Sequence, residues 1–268
     1  MKKYLGLLGY ELKTMFKGSL NLFMLLFPLI MLFVMGYLLP AIVSRTAGAD
    51  SGATAYVLLI GFSIVAALGG FMGGAMLGFS LLENKDENTI LSIAVSPITI
   101  SGYTTFKSIY TFILAFFGNI VLFGGLKLLF EDVFTINYGG MTINLLENIN
   151  WGHIIAFSVA SGLIVPTFAM LIASIAKNKI EGFAFMKSSG LVIMLPLLTL
   201  INAFQDGKQY LLGIVPNFWT IKPILNLALS LDHPSDLSFY GYILIGSIYM
   251  IGLAFLCYRF FIKRAYLK

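Results

Sequence analysis

The chain has 268 residues, 59% of them hydrophobic and 11% charged, with a formal net charge of +5 and a mean hydropathy of +0.92. Soluble domains carry about 25% charged and about 45–50% apolar residues, so this chain lacks the polar surface to cover a water-exposed globule. A soluble enzyme and a disordered chain are both excluded. The apolar residues form repeated uninterrupted runs of about 20, the length that crosses about 30 Å of hydrocarbon at 1.5 Å per residue.

Residues 2–17 come first and read as an amphipathic helix. Tyr4, Leu5, Leu8, Leu12, Met15 and Phe16 share one arc, and Lys2, Lys3, Lys13, Thr14 and Lys17 share the opposite one. That pattern predicts a helix over 1–18 lying in a membrane interface, either as a simple anchor or also touching a cytoplasmic partner. Gly18 then permits a turn into the first span.

Six spans are predicted, at 19–43, 53–82, 108–130, 153–176, 188–204 and 237–261. Each must be helical, because unpaired strands would leave backbone groups bare in lipid and the period-2 alternation of a barrel strand is absent. The predicted fold is an all-α polytopic bundle of six transmembrane helices, a single membrane domain over 19–268. The first run is too long for a cleavable signal, although Ala47-Gly48-Ala49 behind it resembles a cleavage site. The second span carries Gly70, Gly74 and Gly78 at spacings of four. Such a smooth stripe lets another helix approach closely in lipid, and it reads as packing within the bundle, a dimer seam or a moving contact. Pro28, Pro166 and Pro196 sit inside three other spans as kinks or hinges. The lone Cys257 falls in the last span as a small apolar residue, so no internal disulfide is possible.

The stretch 210–231 is apolar enough to suggest a seventh span, but it holds Pro216, Pro223 and, near its middle, Lys222. A lysine at the bilayer centre costs about 2.5–3.5 kcal/mol, and the prolines interrupt the hydrogen-bond ladder. The segment therefore reads as one or two short half-inserted helices, packed on protein or facing water.

Charge sets the orientation. With a cytoplasmic N-terminus, thirteen of the 17 Lys and Arg residues fall inside and only Arg45, Lys127, Lys208 and Lys222 outside, the bias expected of inner segments. Both termini are then cytoplasmic in the cell membrane. The positive charge reflects topology and anionic lipid, with no nucleic acid as partner.

The chemistry that is missing narrows the function. No apolar run has an Asp, Glu or His near its centre, which weakens ion-coupled carriers and intramembrane proteases. His153 and His233 are placed at or beyond the outer edge, and no metal site is expected. The chain lacks the G-x-x-x-x-G-K-[ST] phosphate loop, so the energy for any work comes from elsewhere.

One cytoplasmic stretch differs from a plain connector. Glu83 and Glu87 precede Thr89, Ile90, Leu91, Ile93 and Ala94, and Ser96-Pro97 ends the run before Lys107. Ile90, Ile93 and Ala94 share a helical face, so a short apolar helix at about 84–96 lies on lipid or fits a partner.

These residues resemble the loop between spans two and three in permease subunits of ABC-2 type ATP-binding-cassette exporters, including bacterial peptide and drug exporters. Asn88 stands where glycine is common there, and the two carboxylates are one residue further apart than usual. The order along the chain is also similar: an N-terminal helix with Glu11, a first span with Pro28, this loop, four more spans, and a broken outer segment before the last.

The resemblance implies that Glu83, Glu87, Thr89, Ile90, Leu91, Ile93, Ala94 and Pro97 belong to a coupling helix docked on a separate cytoplasmic ATPase, which binds the ATP and magnesium. It implies an interfacial helix with Glu11, Lys13 and Lys17, and an outer gate with Pro216, Trp219 and Pro223. It also implies a second permease copy, same or paralogous, with the first, second and fifth spans shifting to open the path. The chain is then a non-catalytic export subunit. Absent buried charge suggests an apolar or amphipathic cargo such as a peptide toxin, peptide antibiotic or drug. Glycan export, or an ATP-independent channel or scaffold, are the alternatives.

Overall fold

A computed structural model describes residues 6–9, 11, 13, 16, 19–47, 52–86, 99–138, 141–231 and 233–266. Six helices are long and apolar enough to cross a membrane: Leu25–Thr46, Gly52–Asn84, Ile100–Leu129, Trp151–Ile175, Lys179–Leu200 and Phe239–Lys263. With an even number of crossings both termini lie at one end of the bundle, here the terminal end. The described residues of 6–16 are helical and belong to that end.

The first span joins α1 (Ser19–Phe33) to α2 (Leu39–Ala47) through a π turn at Val34–Leu38. Helix α3 (Gly52–Asp86) is continuous. The third span is α4 (Ile100–Asn119), a π turn at Ile120–Gly124 and α5 (Gly125–Leu129). Then come α6 (Trp151–Ile175), α7 (Lys179–Met194), α8 (Phe218–Ala228) and α9 (Phe239–Tyr266).

Burial identifies the centre. The apolar windows of the spans built on α6 and α3 are 67% and 59% buried, against 17–33% for the other four, so the latter turn much of their apolar surface outward from the bundle. Helix α6 can be central because its packing faces are small: Ser158, Ala160, Ser161, Gly162, Ala169 and Ala173 are all buried. The α3 glycines meet it directly. A Cβ on Gly70 would strike the Ser161 carbonyl, one on Gly74 would lie 3.0 Å from Phe168 Cβ, and one on Gly78 3.2 Å from Ile172 Cβ. The stripe thus faces α6 of the same chain.

Capping explains where two spans begin. Asn150 accepts from the His153 amide at 2.9 Å while His153 Nδ1 accepts from the Asn150 amide at 3.3 Å, so this histidine helps to cap α6. Asn178 accepts from the Glu181 amide at 2.9 Å and starts α7 nine residues before the expected 188. Thr99 caps α4 by accepting from Gly102 N at 3.1 Å, so the third span starts at Ile100 and not at 108. The charged residues that mark both early turns, Lys107 among them, make an apolar-run reading start late. The fifth span also changes form: α7 stops at Met194 and a 3-10 turn, Leu195–Leu200, carries Pro196, which has no N–H to continue the α ladder.

At the opposite end the 131–152 connector is more ordered than a loop. A 3-10 turn at Glu131–Phe134 leads into an antiparallel hairpin, β1 (Thr135–Tyr138) and β2 (Met141–Asn144), with Thr135 opposite Asn144. Phe134, Leu145, Leu146 and Ile149 are fully buried, and Phe134 packs edge-on to Phe62 of α3 at 6.2 Å between ring centres. The fold remains nearly all-α. The predicted broken segment is a 3-10 helix, Asp206–Ile214, a turn at residues 215–217, and α8.

Candidate functional site

At the terminal end a buried polar knot ties three segments together. Lys107 of α4 pairs with Glu11 at 3.1 Å, and both side chains are almost entirely buried, 5% and 10% exposed. The Lys107 ammonium also donates to Ser80 Oγ of α3 at 2.5 Å and lies 5.0 Å from the centre of the Tyr103 ring. Tyr103 donates its hydroxyl to Glu11 at 3.2 Å and accepts from Asn84 Nδ2 at 2.8 Å. A buried charge is tolerable only when paired and hydrogen-bonded, and both members of this pair are. The knot joins the helix with Glu11 to the end of α3 and the start of α4, the two flanks of the segment 87–98.

Of the residues assigned to coupling, Glu87, Thr89, Ile90, Leu91, Ile93, Ala94 and Pro97 lie outside the described residues, as does Lys17. Glu83 is described. It pairs with Lys179 at 2.6 Å, both side chains nearly half exposed, linking α3 to the start of α7. Lys13 is exposed.

At the opposite end Asp236 gathers three elements. Its carboxylate accepts from Gln209 Nε2 at 2.7 Å, Asn226 Nδ2 at 2.8 Å and the Tyr242 hydroxyl at 3.2 Å. It also pairs with Lys222 at 3.4 Å, the two side chains 2% and 5% exposed. Burial pulls the Lys222 ammonium below its ordinary value, and Asp236 opposes that shift without cancelling it. For Asp236, burial raises the carboxyl, but hydrogen bonds from Gln209, Tyr242 and Asn226 and the Lys222 charge outweigh it and leave it below its ordinary value.

This knot fixes the segment assigned to the outer gate. Trp219 donates Nε1–H to the Gly213 carbonyl at 2.9 Å and covers Gly246 of α9. Pro223 stands in the buried face of α8. Pro216 and Asn217 border an apolar groove of about 320 Å³ between α3, α6 and α7, lined also by Phe71, Phe168, Phe185 and Val192.

A second hollow, of about 250 Å³, lies between the first three spans, with Phe27, Pro28, Leu114, Phe117 and Asn119 among its walls. Asn119 Nδ2 and, close by, Ser161 Oγ are buried without a hydrogen-bond partner.

Sequence reasoning named Glu11 and Lys107 separately but could not pair them across 96 residues. It placed Asp236 on the outer side without a partner and gave Asn119 and Ser161 no role. The available signal for Asn119 was an amide within an otherwise apolar run. For Asp236 it was a need, since a lysine in an apolar segment requires an anion and the carboxylates near it in sequence are few.

Residues 11–258 match the family model described as Fluoroquinolones export permease protein Rv2686c-like. Two curated proteins of Mycobacterium tuberculosis are similar to the chain: Fluoroquinolones export permease protein Rv2686c, of strain H37Rv, and MT2760, of strain CDC 1551. Each is 23% identical over 209 residues, covering 78% of this chain and 70% of the relative.

Proposed function

The chain belongs to the Rv2686c-like family of ABC-2 type export permeases, and from that premise we propose that it exports a flat, amphipathic drug, driven by a separate ATPase subunit. The observation that carries the cargo class is the placement of charge. Each ion pair among the described residues lies at one end of the bundle or the other, and none lies in its middle. The hollows between are walled mainly by aromatic and aliphatic side chains, with a few neutral polar ones and no charged one. An uncharged interior offers no counter-charge to an ionic cargo and suits an apolar or amphipathic one. Among peptide toxin, peptide antibiotic and drug, the relatives' names favour a drug of the fluoroquinolone kind.

The two knots support a mechanism built on the family plan. The terminal end faces the cytoplasm, as the cation bias requires. ATP and magnesium bind the partner, which closes on the 84–96 coupling helix. The Glu11–Lys107 knot braces both flanks of that helix, so its displacement reaches α3, α4 and the N-terminal helix together. Two copies of the chain enclose the path, and the turn with Pro216, held through Trp219, Pro223 and the Asp236 knot, closes its outer end until the spans shift.

Co-purification with the partner ATPase tests this. The wild-type chain retains it, whereas a Glu87→Lys, Leu91→Asp variant loses it. Cells carrying the intact pair accumulate less ciprofloxacin than cells with a hydrolysis-deficient ATPase; equal accumulation would remove the cargo assignment.

A further inference from the structure

Hydroxyls inside helices commonly satisfy themselves on the carbonyl one turn back. Ser63, Thr104, Thr111 and Ser158 do so at 2.7–2.8 Å. Ser161 does not: it is 1% exposed and its Oγ has no partner. Asn119, on the neighbouring α4, is 2% exposed with Nδ2 equally unpartnered. The two converge. A Cβ on Gly69 would touch Asn119 Oδ1 and lie 3.5 Å from Ser161 Oγ. Asn119 Oδ1 thus rests against the bare face of Gly69, where a Cα–H is a weak donor, and Nδ2 is left over.

Leaving such groups unpaired away from water is unfavourable, and both residues lie near the midpoints of their spans. Gly69 and Asn119 line the 250 Å³ hollow between the first three spans. Directly after Asn119 the helix widens into the π turn Ile120–Gly124, a feature frequent at functional sites. The hollow holds several times the roughly 30 Å³ share of one water, and its walls are mostly apolar, so water gains few partners there. The site is an apolar slot with Asn119 on its wall, the Ser161 hydroxyl beside the wall residue Gly69, and no described cation along its walls. Without a cation a carboxylate is poorly held, whereas a neutral carbonyl oxygen is matched.

We infer that this hollow is a cargo-binding subsite in which Asn119 Nδ2 and the Ser161 hydroxyl donate to a neutral carbonyl oxygen on a flat, largely apolar molecule. The inference rests on the drug-export reading for the identity of the occupant. A fluoroquinolone in its uncharged form, with the carboxyl beside the ketone protonated and the amine free, meets the requirement with a ring ketone on a fused aromatic bicycle.

Ciprofloxacin binding to the full-length chain in lipid nanodiscs, followed by the drug's own fluorescence polarisation, provides the test. The comparator, whose binding is measured by isothermal titration calorimetry because removing the ketone removes the fluorophore, is an analogue with the ring ketone reduced to a methylene. Asn119→Leu should weaken ciprofloxacin binding about tenfold, the effect of one lost hydrogen bond, and Ser161→Ala several-fold. The analogue should bind wild type and both variants alike, which also reports that the variants are folded. Equal ciprofloxacin binding by wild type and both variants would overturn the subsite and leave the export reading standing. An equal loss for both ligands would assign the two residues to packing and also overturn it. A wild-type chain that binds neither ligand would remove the cargo reading, and the subsite with it.

Discussion

Lys107 and Glu11 show how position decides what a charged residue does. On the surface such a pair contributes about 0–1 kcal/mol. Here both partners are buried, so removing one strands the other without water. Lys107→Met should therefore destabilise the protein by about 3–5 kcal/mol, while the Glu11→Leu, Lys107→Met double variant should lose less than the sum of the single changes. Thermal unfolding of the four proteins in nanodiscs measures both. Asp236 has a pH signature. Its carboxyl lies below the ordinary 3.8 in the folded protein, so the stability it contributes is fully present above that value and is lost as pH falls through the lower folded one. The wild-type unfolding temperature should thus be flat in this respect from about pH 7 to about pH 5 and fall in stronger acid. Asp236→Asn should be less stable at neutral pH and lack that part of the acid-side loss. A charged residue at a run's edge was visible in the sequence, but its partner was not, because pairing depends on how distant segments meet.

At the scale of elements, the spans were readable because a long apolar run in lipid has only the helix as a solution. Their starts were less so. Thr99 and Asn178 begin helices among polar residues, where capping decides and hydropathy is silent. The hairpin was missed although Gly139-Gly140 separates two short strands, since each carries only four residues and a run that brief has little period-2 pattern to detect. The glycine stripe gives a contrast that structure alone supplies. Gly70→Ala must push against the Ser161 backbone, whereas Gly190 of α7 has nothing within 4 Å of a built Cβ. Gly70→Ala should lower stability by about 1–3 kcal/mol, and Gly190→Ala should be neutral or raise it by up to about 1 kcal/mol. Paired unfolding curves check the difference.

For the molecule as a whole, the sorting of charge is the main determinant. A single-cysteine series on a Cys257→Ala background tests orientation in intact cells: a cysteine replacing Asp206 should react with an impermeant maleimide added outside, and one replacing Lys179 only after the membrane is opened. The reverse pattern would invert the proposed direction of the exporter. The sequence by itself determined the membrane class, the number of spans and the family plan, because hydropathy and charge bias act on each segment independently and need no partner to be read. Only the tertiary structure decided which helix the glycines face, that Glu11 meets Lys107 and Asp236 meets Lys222, and that two polar groups stand unpartnered beside a hollow. Those facts depend on distances between segments far apart in the chain, set when burial of α3 and α6 brings the rest of the bundle around them.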